Sequence, residues 1–191
     1  MAQRGAQELA AGLEEIRRAP AASGTVEMIV RRPAQDEREV LEEGRLTVDD
    51  GLAGDDWRAR GSRSTPNGAA DPERQLTVMG SRVIDLLAGG DRGAWPLAGD
   101  QLYVDLDLGV ANLPAGTRLA IGSAVIEVTE PAHTGCAKFG ARFGGEALRL
   151  VNSPDGRALR LRGLNARVVL PGTVRRGDPL RRLPSIAEDE P

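Results

Sequence analysis

The sequence predicts a mainly β protein, a closed or nearly closed β-barrel that carries two or three short helices. Its 191 residues suffice for one domain with one hydrophobic core. The 24 glycines and 12 prolines indicate many turns. The apolar segments between these turns are mostly short, which favours strands that join into a barrel.

The N-terminal residues differ from the rest of the chain. Apolar residues recur at helical spacing over Gln7–Arg18, which predicts a short amphipathic helix, and small residues at 20–24 form a linker. We therefore expect residues 1–24 to be an appendage and residues 25–184 to be the barrel domain. The acidic, proline-terminated tail at 185–191 is expected to be disordered.

The strands are predicted from β-branched and apolar runs that end at turn residues. The pair Gly122-Ser123 is a two-residue turn signal and makes the strands on either side of it a hairpin. The stretch from Asp49 to Arg74 has no periodicity and is expected to be a long loop. Strands are expected at Thr25–Val30, Glu37–Val48, Leu76–Met79, Gln101–Leu108, Arg118–Ile121, Ala124–Thr129, Ala158–Arg162 and Ala166–Leu170.

Two further helices are predicted inside the domain. Ser81 is positioned to cap a short helix with a strongly apolar face. From Ala137 to Val151 the apolar residues recur at helical steps, so one helix is expected there, ending before Pro154.

Composition excludes several classes of function. The net charge of −3, with both signs interspersed, provides no field that would recruit nucleic acid or anionic lipid. No apolar run approaches the roughly 18 residues of a membrane span, and no secretory signal is apparent, so a cytoplasmic protein is expected. With one cysteine and one histidine, the chain can form neither an internal disulfide nor a zinc cage of these residues.

The chain's sole histidine, sole cysteine and sole lysine all lie within His133-Thr134-Gly135-Cys136-Ala137-Lys138. Cys136 falls between a predicted strand and a predicted helix, where the helix dipole and free backbone N–H groups favour a thiolate. A thiolate attacks electrophiles and binds soft metals. The alternative is that Cys136 is a small packed side chain, His133 a hydrogen-bonded one and Lys138 a solvated charge.

Several segments follow one another in a recognisable order between about residues 26 and 183. They are Gly54-Asp55, Arg74–Thr77, Gly99–Leu102, the hairpin Ile121–Thr129, Cys136 and Gly172–Asp178. In this order they resemble the MOSC family, named for the C-terminal domain of molybdenum-cofactor sulfurase, and particularly its small stand-alone bacterial members. The chain departs from the family pattern at Trp57, where a histidine is frequent, and at Gly135, where a proline often precedes the cysteine.

The resemblance implies a MOSC barrel, similar to the barrel of pyruvate kinase, in which Cys136 has one of two roles. It would ligate molybdenum in a pterin cofactor and support reduction of N-hydroxylated compounds, or it would carry a persulfide for sulfur transfer. In the first role, basic side chains would contact the cofactor's anionic oxygens. The residues implied are Cys136 as metal ligand and catalytic residue, His133 and Lys138 as catalytic residues, and Asp55, Arg58, Arg74, Asp100 and Gln101 as cofactor-binding residues.

The expected partners follow from these roles. A small-molecule substrate is expected, together with a separate electron donor or sulfur donor protein, because one cysteine cannot hold an iron–sulfur cluster and no nucleotide fingerprint is present. Lys138 is the only residue able to form a Schiff base with pyridoxal phosphate, but its place beside the cysteine argues against that cofactor. A third alternative is a non-catalytic barrel that binds a small anion or a protein, with Cys136 merely packed.

Overall fold

Within residues 3–184, which the computed structural model describes, seven strands close into a barrel in the order β11-β7-β8-β9-β5-β6-β1. Closure occurs where β1 pairs with both β6 and the final strand, β11. β5 and β6 are parallel and the other neighbouring strands of the ring are antiparallel. The predicted fold class is therefore confirmed. The ring strands are β1 (Ser23–Arg31), β5 (Leu76–Gly80), β6 (Leu102–Asp105), β7 (Arg118–Ile121), β8 (Ala124–Val128), β9 (Leu164–Leu170) and β11 (Pro179–Arg182).

The remaining strands lie outside this ring. One of them extends the sheet beyond β1, and the other three form a small separate sheet in the order β10-β3-β4. They are β2 (Glu39–Leu41), β3 (Glu43–Thr47), β4 (Gly51–Leu52) and β10 (Gly172–Arg175).

The alternation of side chains along the strands creates two hydrophobic cores. Leu102 and Val104 of β6 belong to the cluster formed with the other barrel strands, whereas Tyr103 between them packs in a second cluster with helical residues. Because both faces of β6 are covered, the strand is buried on both sides.

Short helices cover the outer face. The N-terminal helix buries Leu9 and Ile16 in the second cluster, so it shares a core with the barrel. Residues 185–191, expected to be disordered, lie outside the described residues. The helices are α1 (Ala6–Arg17), α2 (Trp57–Arg60), α3 (Ser81–Ala88), α4 (Ala137–Phe143), α5 (Gly145–Asn152) and α6 (Pro154–Ala158), with 3₁₀ helices at Pro72–Arg74 and Arg92–Ala98.

The segment 49–74, predicted to be a long loop, contains β4, α2 and a 3₁₀ helix, and three further elements also differ from the sequence prediction. The single helix predicted over 137–151 is two helices, because Gly144 has φ 97° and ψ 162° and breaks the α-helical backbone. The strand predicted over Ala158–Arg162 is the end of α6 followed by a turn in which Arg160 has φ 47°. Ser81 is the first residue of α3 and makes no capping hydrogen bond, because β5 runs directly into that helix.

None of the helices among residues 3–184 combines the length and the apolar character needed to cross a membrane.

Candidate functional site

The segment that carries Cys136 crosses one end of the barrel. β8 ends at Val128, and an irregular stretch leads to α4, which begins at Ala137. The side chain of Asn152, at the end of α5, fixes this stretch: its Oδ1 accepts the Gly135 N–H at 2.9 Å and its Nδ2 donates to the Gly135 carbonyl at 3.0 Å. The backbone just before the thiol is therefore held in place.

Side chains of α5 pack closely against Gly135 and would have to shift to make room for a larger residue. A Cβ atom there would lie 2.8 Å from Leu148 Cδ1 and 2.9 Å from Val151 Cγ2, which is closer than van der Waals contact allows.

The Cys136 side chain is exposed, and the residue immediately precedes α4. The helix that follows has only seven residues, because Gly144 ends it. The long helix from which the sequence analysis expected a dipole effect on the thiol is therefore absent.

Lys138, two residues further on, is exposed and forms an ion pair with Asp36 at 3.4 Å. Arg142 of the same helix also lies 3.4 Å from Asp36 and donates to the Leu97 carbonyl at 2.7 Å. Lys138 in particular holds the pKa of the Asp36 carboxyl below its ordinary value. These contacts attach α4 to the loop that follows β1.

A polar cleft of about 1120 Å³ opens beside this loop, and we call it the basic cleft. Arg60 and Lys138 each pair with an acidic residue of the cleft, at 3.0 Å and 3.4 Å. Within the described part of the chain, Arg38 and Arg63 have no carboxylate within ion-pair distance. The charged residues that line the basic cleft are Arg38, Arg60, Arg63, Lys138, Asp36 and Asp56, so cations exceed anions.

Crowding of positive charge is visible in the pKa values of two cleft arginines. Burial lowers the pKa of Arg38, and the nearby guanidinium groups of Arg142 and Arg32 lower it further. Burial and the charge of Arg32 lower the pKa of Arg60 in the same way. An anion in the cleft would relieve this repulsion.

His133 lies at the same end of the barrel, above a buried ion pair. Its Nδ1 is 3.5 Å from Oδ1 of Asp100, a fully buried residue at the start of β6. Arg162 donates to Asp100 Oδ2 at 2.7 Å and to the Ala98 carbonyl at 2.9 Å. The Arg162 guanidinium also lies over the ring of Phe139 in α4, 4.9 Å from its centroid. Arg162 thus connects Asp100 to the helix that Cys136 precedes.

A second buried pair lies beside the first. Arg32 donates to both carboxylate oxygens of Asp55, at 2.9 Å and 2.7 Å, and Asp55 also accepts the Trp57 backbone N–H at 3.1 Å. Gln101 accepts hydrogen bonds from the N–H and hydroxyl of Thr77. Asp55 and Gln101 are therefore bonded to groups of the protein itself.

The residues singled out in the sequence thus fall into three sets. Asp55, Asp100 and Gln101 are brought together in the interior, with His133 above them. Lys138 lines the basic cleft, and Cys136 is exposed nearby in sequence. Arg58 and Arg74 instead form exposed pairs with Asp50 and Asp71, and neither lines the basic cleft.

Sequence reasoning missed four residues of this end of the barrel. Arg32 and Arg162 find their partners only through strand pairing, and Arg162 had been assigned to a strand. Arg38 carries no local signal, and Asn152 had been interpreted only as a helix end. The one available signal was the pair Arg31-Arg32 at the end of an apolar strand.

Comparison with known proteins finds a family model that matches part of the chain. The family model "MOSC domain" matches residues 90–181. No curated protein is significantly similar to the chain in sequence.

Solved structures share the fold at low sequence identity. The YUAD protein from Bacillus subtilis has 17% identity and a TM-score of 0.62, with 84% of this chain and 95% of that chain covered. The YiiM protein from Escherichia coli has 21% identity and a TM-score of 0.55, with 85% and 71% covered. The family match and the closed barrel agree, and residues 90–181 are similar to a MOSC domain.

Proposed function

We propose that this protein binds the molybdenum cofactor, with Cys136 Sγ as the metal ligand, and supports reduction of N-hydroxylated compounds. The observation that carries the proposal is an exposed thiol that follows a residue held by Asn152 and lies two residues from a cation of the basic cleft, in which Arg38 and Arg63 form no ion pair with the described residues. A soft thiolate suits a soft metal site, and a basic cleft suits the phosphate of a pterin cofactor.

The available donors fit such a group. No cluster of three or more His, Cys, Asp or Glu side chains able to hold a metal ion occurs among residues 3–184. A metal that brings most of its ligands on an organic cofactor requires only one from the protein. When bound, the cofactor would supply the redox chemistry of its metal.

The protein residues would bind and orient this group. Among the described residues Arg63 has no ion-pair partner and Arg38 donates only to the Pro96 and Glu37 carbonyls, so both have donors left for phosphate oxygens. Arg60 and Lys138 lie in the same cleft. Guanidinium groups suit this task because they donate two parallel hydrogen bonds to an anion. Electrons would come from a separate donor protein, because the chain's single cysteine cannot hold an iron–sulfur cluster.

The test is the metal and pterin content of protein purified from a host that makes the cofactor. We expect near-stoichiometric molybdenum and oxidised-pterin fluorescence in the wild type, and loss of both in Cys136→Ser. Arg63→Gln should retain less pterin, whereas Arg175→Gln, which removes an exposed arginine paired with Glu43, should retain the wild-type amount. Wild-type protein without metal or pterin would contradict the proposal.

Sulfur carriage is the second candidate, and the exposure of Cys136 favours it. Intact-mass analysis would then find one additional sulfur atom on the wild type and none on Cys136→Ser. A Cys136 thiol that does not react with alkylating reagents in the folded protein would contradict both functions.

A further inference from the structure

Three buried polar atoms without a hydrogen-bond partner occur together beneath the Cys136 segment. They are Asp100 Oδ1, His133 Nδ1 and Arg162 Nε, and among residues 3–184 the only other such side-chain atom is Trp95 Nε1. Buried polar groups in native proteins are almost always bonded. Three unbonded buried atoms in one place therefore indicate that these side chains have a role other than stabilising the fold.

The charge state of Asp100 follows from its partner. Burial raises the pKa of Asp100, and the guanidinium groups of Arg162 and Arg32 oppose that effect. A protonated Asp100 would leave Arg162 as a buried charge without compensation, which is the costlier state. Asp100 is therefore a carboxylate whose Oδ2 accepts from Arg162 and whose Oδ1 faces the histidine ring.

His133 is neutral in this environment. Burial places its pKa well below the ordinary value of 6.5, and the surrounding positive charges lower it further. These charges come from three different segments: Arg162 before β9, Arg32 after β1 and Arg74 before β5.

A neutral imidazole carries one hydrogen, on either Nδ1 or Nε2. With the hydrogen on Nδ1, a donor faces the Asp100 oxygen 3.5 Å away, and a small rotation of the ring brings the two atoms within hydrogen-bond distance. With the hydrogen on Nε2, the Nδ1 lone pair faces a carboxylate oxygen, which is repulsive.

We propose that Asp100, held by Arg162, is a positioning residue that keeps the hydrogen of His133 on Nδ1 and leaves Nε2 as a hydrogen-bond and proton acceptor. Nδ1 is buried, so the exposed part of the ring belongs to its other atoms. His133 lines a cavity of about 410 Å³, which we call the His133 cavity and which also contains Glu130, Arg157 and Arg160. A ligand that presents an O–H or N–H group suits such an acceptor.

The substrate class links this site to the proposed function. An N-hydroxylated compound carries an N–OH group, which would donate to Nε2 of His133. This link depends on the proposed function, whereas the tautomer of His133 does not.

The tautomer can be measured without resonance assignment, because the chain contains a single histidine. Protein labelled with ¹⁵N-histidine, produced without a histidine tag and without molybdenum, would be studied by long-range ¹H–¹⁵N correlation at neutral pH. We expect the pattern of a neutral ring with its hydrogen on Nδ1. A ring protonated on Nε2, or on both nitrogens, would overturn the proposal.

The variant Asp100→Asn tests whether Asp100 determines which nitrogen of His133 carries the hydrogen. An asparagine NH₂ group can donate to Nδ1, so we expect the hydrogen to move to Nε2, as in the corresponding variant of the serine-protease triad. The control Asp85→Asn, at an exposed position in α3, should leave the wild-type pattern unchanged. A folded Asp100→Asn protein that retains the Nδ1 hydrogen would contradict the assignment, and the wild-type spectrum decides the tautomer even if this variant does not fold.

A separate measurement tests whether Nε2 of His133 accepts a hydrogen bond from an N–OH group. Acetohydroxamic acid should shift the His133 Nε2 resonance further than acetamide, which lacks the N–OH group. Equal shifts would contradict the N–OH assignment. Because these spectra are recorded without the metal, failure of molybdenum binding and failure of the tautomer remain distinguishable.

Discussion

At the scale of single residues, the end of the barrel depends on two buried ion pairs. Arg32 pairs with Asp55 and Arg162 with Asp100, and all four residues have a relative exposure of 9% or less. Each pair joins residues that are distant in sequence and leaves no net charge. A buried pair of this kind adds little stability overall, but loss of one partner leaves an uncompensated charge.

Asp55→Asn is therefore expected to destabilise the protein strongly, by about 3–5 kcal/mol, because Arg32 would remain buried without a counter-charge. Urea denaturation monitored by circular dichroism measures the change. The matched control is Asp50→Asn, which removes an exposed partner of Arg58 and should leave the transition midpoint nearly unchanged. Equal effects of the two substitutions would contradict the assignment of Asp55 to the interior.

His133 makes stability depend on pH in a definite direction. Its pKa is lower in the folded protein than the 6.5 of an unfolded histidine, so below pH 6.5 the unfolded chain binds a proton that the folded chain does not. Stability is therefore lost as pH falls through that value. We expect Tm to fall more steeply between about pH 7.5 and pH 5.5 in the wild type than in His133→Gln, as measured by thermal denaturation. Parallel curves of Tm against pH for the two proteins would contradict this role of His133.

Part of the candidate site could be predicted from single residues. The rarity of cysteine, histidine and lysine drew attention to the segment that carries Cys136, and the family resemblance added Asp55, Asp100 and Gln101. The important arginines could not be identified in this way, because the chain has 24 arginines and only a few of them are buried or line the basic cleft. Only tertiary structure separates Arg32 and Arg162 from the solvated majority.

At the scale of elements, Gly144 determines how the Cys136 segment is built. Its backbone conformation, φ 97° and ψ 162°, is essentially available only to glycine, and it allows α4 and α5 to change direction. The change of direction lets Asn152, at the end of α5, bond to Gly135 before α4. Helical periodicity continued across this glycine, which is why the sequence predicted one helix.

Gly144→Ala is therefore expected to destabilise the protein by about 1–3 kcal/mol, since alanine cannot adopt this conformation without strain. The neighbouring Gly145→Ala is the control. Gly145 begins α5 and a Cβ there meets only Arg149 Nη1 at 3.8 Å, so alanine should be neutral or should stabilise the helix. Chemical denaturation measures the free energy of unfolding of both variants, and similar losses of stability would contradict the role of Gly144.

The other misassigned element has a similar origin. Within the predicted strand Ala158–Arg162, apolar and basic residues alternate from Leu159 onward, which is typical of a strand with one exposed face. In the structure, Ser153 caps a short helix, and a turn then directs Arg162 to Asp100. Alternation over so few residues does not distinguish a strand from a turn with two buried side chains.

At the scale of the whole molecule, the barrel depends on its last strand. β11 pairs with β7 on one side and with β1 on the other, and Leu180 is fully buried in the barrel core. Turn spacing and strand length were enough to predict a barrel. The order of its strands, including the parallel pair β5 and β6, was not predictable because it depends on contacts between distant segments.

Leu180→Ala should cost about 2–5 kcal/mol, because it leaves a cavity where the barrel closes. Arg181→Ala, on the adjacent exposed position, should change the free energy of unfolding by less than about 0.5 kcal/mol. Urea titration of the two variants gives both values. A small effect of Leu180→Ala would mean that β11 is dispensable for the stability of the barrel.

The pairing of Gly24 with Leu180 also has a consequence for biosynthesis. On the ribosome, β1 emerges early, but its partner β11 emerges only after nearly all of the other strands. Until then β1 and β7 each have an unpaired edge, and such edges promote association between nascent chains. We therefore expect the barrel to close only after β11 has emerged, so that the yield of soluble protein falls when synthesis is fast enough to crowd unfinished chains together.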